Sequence, residues 1–154
     1  MDFSLSPNIE DYRQRIHEFV EEEILPLEDN PKNFDAHEMI EEKVLSDLRT
    51  KAKTKGLWAF QMPKERGGVG LSNVGMAACY EEMARSPFGP VTFNCAAPDD
   101  GNMMVLEKIL PEEQKAQWLQ PIIDGEARSS IAMTEPMPGA GSDPTAMLTT
   151  AERK

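Results

Sequence analysis

Positive charge is scarce in this chain: 16 Lys and Arg stand against 27 Asp and Glu, a net charge of −11 at pH 7. A nucleic-acid binder needs a basic face for the phosphates, and none is visible; an anionic membrane surface is disfavoured for the same reason. No run approaches the roughly 18 to 20 apolar residues that span a bilayer. The opening MDFSLSPNIEDY has neither the basic nor the apolar region of a secretory leader, so the chain reads as cytoplasmic. Cysteine is nearly absent. Cys79 and Cys95 form no CxxC and no metal-ligand spacing, which fits two reduced core thiols better than a disulfide or a metal centre. His17 and His37 lie in polar surroundings, with no Ser-His-Asp pattern beside them. A polyanionic ligand would have to be held locally, by backbone N–H groups, a helix end or a few cations.

What the sequence does contain is helical periodicity. Ser6 followed by Pro7 is a helix start, with proline at a position where its missing N–H costs nothing. Ile9, Tyr12, Ile16, Phe19, Val20, Ile24 and Leu27 then recur on one face, and Pro26 and Asn30-Pro31 are expected to close the helix. A second helix is predicted over 36–55, with Ile40, Val44, Leu45, Leu48 and Ala52 on one side and Gly56 as its C-terminal cap. The stretch 56–73 holds four glycines among Gly67, Gly68, Gly70 and Gly56 and reads as an ordered loop. Further helices are expected from Ser72 to about Arg85, over 99–110, and from Pro111 through PEEQKAQWLQPII, whose first turn is acidic as the macrodipole favours. Met83, Met103 and Met104 suit core positions. Glu81, Glu82, Asp99 and Asp100 read as parts of a solvated face. The fold class is thus all-α, with about five to six helices over 1–126.

At 128–134 the period changes. RSSIAMT is short, partly alternating and followed by Pro136 after Glu135, which fits a strand opening a new unit over 127–154. A lone strand is not stable, so partners would have to come from elsewhere. The next residues, TEPMPGAGSD, allow two readings. The backbone could read the edge of a planar heterocycle, with the Thr134 hydroxyl as an added donor, Gly139 and Gly141 admitting a bulky anion, and Ser142 donating to it. Equally, this could be a linker in which Ser142 and Asp143 cap a turn.

Met133-Thr134-Glu135-Pro136 followed by Gly139-Ala140-Gly141-Ser142-Asp143 resembles the flavin-binding signature of the acyl-CoA dehydrogenases. Lys-Gly-Leu-Trp at 55–58, PKERGGVGL at 63–71, EEMAR at 81–85 and EEQK…WL…IIDGE at 112–126 are similar, in the same order, to that family's N-terminal helical domain. FNCAAPDDGNM at 93–103 is similar to a branch of larger members. One departure stands out: Met137 and Pro138 separate two halves of a signature that usually run together.

The resemblance implies a longer protein, with a helical domain, a middle β-domain and a C-terminal four-helix bundle assembled as a tetramer. It implies FAD as cofactor, an acyl-CoA thioester as substrate and an electron-transfer flavoprotein or similar acceptor. A carboxylate base would take the α-proton while hydride passes to flavin N5; that base is expected beyond Lys154, so no catalytic residue is assigned here. Ile131, Met133 and Thr134 would hold the flavin edge, Gly141 and Ser142 the phosphate side. Ser142, Asn94, Asn102 and Met103 would border the acyl-CoA. A non-catalytic helical interaction module, or an acyl-CoA oxidase or flavin monooxygenase of the same fold, are the competing readings.

Overall fold

The computed structural model describes residues 4–37 and 39–153. The first helix, α1 (Pro7–Phe19), does not end at Pro26. It widens into one π turn (Val20–Ile24) and continues as α2 (Leu25–Glu28). Pro26 lacks an N–H and its ring would press on the carbonyl four residues back; an i→i+5 turn placed just ahead relieves that clash, so the helix runs on. Ser6 adopts the extended cap conformation but makes no side-chain cap bond. The buried face is the expected one, with Ile16, Phe19, Val20 and Ile24 in the core and Tyr12 and Leu27 packed against it.

The second predicted helix begins six residues late. Its described form, α3 (Glu42–Thr54), is capped by the Glu41 carboxylate, which accepts from the backbone N–H groups of Lys43 and Val44. Ahead of it, Asp35 competes for the chain by accepting from His37 and Met39, so this stretch turns instead of coiling, and Phe34 bridges to Ile40. The far end follows expectation. Gly56 takes φ +67°, its N–H donates to Lys53 and that of Leu57 to Ala52, a paired closure that a side chain at residue 56 would strain.

After the loop come α4 (Asn73–Met83), capped by the Ser72 hydroxyl, the single turn α5 (Gly89–Thr92), and α6 (Asp99–Ile109). The last expected helix breaks at Leu119, where Pro121 cannot donate, into α7 (Glu112–Trp118) and α8 (Gln120–Ile123). The turn α5, in the stretch expected only to end α4, packs against α3. α1 lies on α4, and α7 and α8 fold back on α6.

Aromatic edges lock the centre: Phe93 meets Phe19 at 5.2 Å and Phe60 at 6.3 Å between centroids. Just beyond, Asn94 sits at φ +56°, a conformation asparagine tolerates better than most residues. Its amide donates to the carbonyls of Ile122 and Ile123 at 3.0 and 3.1 Å, and the Trp58 indole donates to Ile123 at 2.7 Å. These donors fill the open C-terminal end of α8. Cys79 and Cys95 are buried free thiols, and burial pushes their pKa values up to about 11 and about 12.

The strand expected at 128–134 does not form. That stretch has no regular secondary structure, and among the described residues its backbone pairs with nothing, so no ladder exists. The nearest β pairing is a single bridge between Glu135 and Gly141. Nor are all four acids solvated. Glu82 is buried against Arg13 and His17, and Asp99 is 2% exposed.

Candidate functional site

Asp99 begins α6, where the helix dipole favours a negative charge. Its carboxylate accepts from the Ser129 N–H at 2.7 Å, from the Ser129 hydroxyl at 2.6 Å and from Arg128 Nε. Burial would raise its pKa; the bonds from Ser129 and the charge of Arg128 outweigh that and hold it below the usual carboxylate value. Nearby, Asn102 donates to Ser129 at 2.9 Å. The segment from Arg128 onward is therefore bolted to α6 at its root.

Beyond the root, the loop is organised around one side chain. The Glu135 carboxylate accepts from the N–H groups of Ala140 at 2.9 Å, Leu148 at 3.0 Å and Thr149 at 2.6 Å, and from the Thr149 hydroxyl. Those donors, Ala140 first, draw its pKa from the ordinary 4.5 down to about 2. Met137 and Pro138 occupy a turn closed by Gly139 N–H to Pro136 O at 2.7 Å, and Met137 projects into solvent at 86% exposure. The two additional residues thus bulge outward, while the Glu135–Gly141 bridge closes beneath them.

The expected site residues divide into three sets. Ile131, Met133 and Thr134 lie exposed on that segment, and the backbone groups of residues 130–134 make no hydrogen bond among the described residues. Gly141 has φ +61° with nothing within 4 Å of where a Cβ would stand, and Ser142 beside it is exposed. Asn94 and Met103, by contrast, are sealed in the core at 3% and 0% exposure, and Asn94 spends its amide on α8. Neither lines the pocket that Asn102 borders. That pocket, of about 240 Å³, is lined also by Val105, Leu106, Ser129 and Ser130. Sequence reasoning overlooked both organising carboxylates. Glu135 sits inside the very signature that was singled out, and Asp99 directly follows a proline at a helix start, a placement typical of a carboxylate with local donors.

The sequence model described as "Acyl-CoA dehydrogenase, N-terminal domain" matches residues 6–126. The chain belongs to the acyl-CoA dehydrogenase family. A Mycobacterium tuberculosis protein named probable acyl-CoA dehydrogenase FadE2 is 39% identical over 163 residues, covering 99% of this chain and 38% of its own length. Mouse acyl-CoA dehydrogenase family member 10 is 39% identical over 139 residues, covering 86% of this chain and 13% of that protein. A solved structure from Mycobacterium abscessus, assigned to the acyl-CoA dehydrogenases, superposes with a TM-score of 0.76 at 36% identity, over 93% of this chain and 38% of that one. The chain therefore spans well under half the length of these relatives.

Proposed function

We propose that residues 1–126 are the helical N-terminal domain, and residues 127–154 the start of the middle β-domain, of an FAD-dependent acyl-CoA dehydrogenase. In this reading the chain supplies one wall of the FAD and acyl-CoA sites. The observation that carries it is the free backbone edge at residues 130–134, rooted by Asp99 on one side and followed by the Glu135-centred loop on the other. Such an edge leaves N–H and C=O groups without partners inside the described residues and available to a planar heterocycle.

Met133 and Thr134 would meet the pyrimidine edge of the flavin, with Ile131 packing beside it, and Gly141 and Ser142 would receive the phosphate side. Bound FAD would supply the hydride acceptor for oxidation of the Cα–Cβ bond of an acyl-CoA thioester. A fixed Thr134 donor at the ring edge stabilises charge that develops only during the reaction, which lowers the barrier without tightening ground-state binding. On the substrate side, Asn102 and the pocket it shares with Val105 and Ser130 would border the acyl-CoA. Asn94 and Met103 would act from behind, by holding α8 and α6. The proton-abstracting carboxylate, the contacts of an oligomer and docking of an electron-transfer flavoprotein would come from the longer protein in a cytoplasmic setting.

The test is a chimera in which this chain replaces the matching segment of the Mycobacterium tuberculosis relative. It should bind FAD and bleach on addition of an acyl-CoA, and Thr134→Val should slow bleaching by roughly tenfold or more, as for a lost transition-state donor. The 154 residues alone should neither retain FAD nor reduce a dye. A chimera that folds but leaves FAD unbound would overturn the reading.

A further inference from the structure

Arg49 projects from α3 with its guanidinium partly withdrawn from water. Its Nε donates to Val91 O at 3.1 Å and its plane lies over Trp58 at 5.9 Å. No carboxylate among the described residues comes within ion-pairing distance of it. Its strongest charged neighbour is a cation: burial first, then the charge of Arg128, lowers its pKa, while Glu42 and Asp99 offset this only in part. A half-buried cation beside a second cation, with no anion in contact, is costly unless something supplies the charge.

The space beside it is a cleft of about 140 Å³ lined by Glu42, Ser46, Arg49, Thr50, Lys53 and Gly125, with Leu45 behind. Glycine keeps it open. A Cβ at residue 125 would stand 2.9 Å from the Trp58 ring and 3.8 Å from Nη1 of Arg49. Lys53 extends over the Trp58 ring at 4.4 Å, donating to Asp124 O at 2.6 Å, and retains two further N–H donors. The Ser46 hydroxyl makes no hydrogen bond among the described residues, whereas Thr50 donates to Ser46 O. At about 30 Å³ per water the cleft holds roughly four to five waters, room for a small oxyanion.

We propose that this cleft is a binding site for a small tetrahedral oxyanion of the phosphate class, held by the forked donors of Arg49, by Lys53 and by the Ser46 hydroxyl. Nη1 of Arg49 lies at the Gly125 side of this cleft, and a guanidinium carries the forked donors that suit phosphate oxygens. Glu42 is the one carboxylate of the lining and opposes the anion. The site is distinct from the flavin edge and stands or falls without it.

Inorganic phosphate is the probe, titrated into the 154-residue chain carrying Trp118→Phe, so that Trp58 is the sole indole. Sodium chloride at matched ionic strength is the control. Saturable quenching or enhancement with phosphate is expected, with one phosphate per chain by equilibrium dialysis. Arg49→Gln should weaken binding at least about tenfold, the effect of losing one charge-assisted hydrogen bond. Glu42→Gln should tighten it. Should Arg49→Gln fail to fold by circular dichroism, Lys53→Gln provides the same comparison. Phosphate and chloride curves that coincide, or unchanged binding in the folded variants, would overturn the proposal.

Discussion

Up to Ile123 the chain is organised by side chains removed from water, Phe93 and Phe60 at 0% exposure among them; beyond it no described residue is buried at all. The later segment is held instead by two carboxylates, Asp99 gripping its root and Glu135 gathering its loop. The difference teaches where order can come from. Burial is non-directional and scales with area, so it fixes a core. Hydrogen bonds to a charged acceptor are directional and short, so a few of them shape a loop that has nothing to bury.

The most severe challenge to the core side is Phe93→Ala, which should cost about 3–5 kcal/mol in denaturant unfolding, as for other buried phenylalanines. A loss below 1 kcal/mol would mean that the aromatic centre is not what holds the helices. Next in size is Asp99→Ala, expected to cost about 1–3 kcal/mol by stranding donors at the root. Its signature is local: amide exchange at Ser129, whose N–H donates to Asp99, should accelerate far more than at Leu48.

On the other side, Glu135 gives a pH test. Its folded pKa is depressed, so its contribution is complete above the ordinary value near 4.5 and fades as pH falls toward about 2. The amide resonances of Ala140, Leu148 and Thr149 should titrate together near that lower value, with the helices still folded. Titration near 4.5 would show that the loop is not gathered on Glu135. Smallest of all, Met137→Ala should change stability by less than about 0.5 kcal/mol, since the side chain touches mainly solvent. A larger effect would mean that the inserted pair does more than bulge.

Helix identity was legible because 3.6-residue periodicity and caps are local signals: Ile16, Phe19, Leu45, Leu48, Ser72 and Gly56 all serve as expected. Errors arose where two local rules compete. Pro26 says stop, yet a π turn absorbs it, and residues 36–41 look helical until the Asp35 carboxylate captures the N–H groups of His37 and Met39. At the site, the end of helical periodicity at Arg128 was legible from RSSIAMT, whereas the missing ladder partner of the expected strand was not. Nor was the burial of Asn94, because its partners Ile122 and Ile123 lie 28 and 29 residues away. Polar residues matched by distant carbonyls leave no periodic trace.

The carbonyl of Ile123 accepts from Trp58, 65 positions earlier, and from Asn94 in the middle of the chain. Three widely spaced segments thus converge on a single oxygen at the end of the last helix. Cutting the polypeptide just before that helix would orphan two interior donors at once. Trp58, Asn94 and the end of α8 are therefore expected to open together, rather than turn by turn from the end.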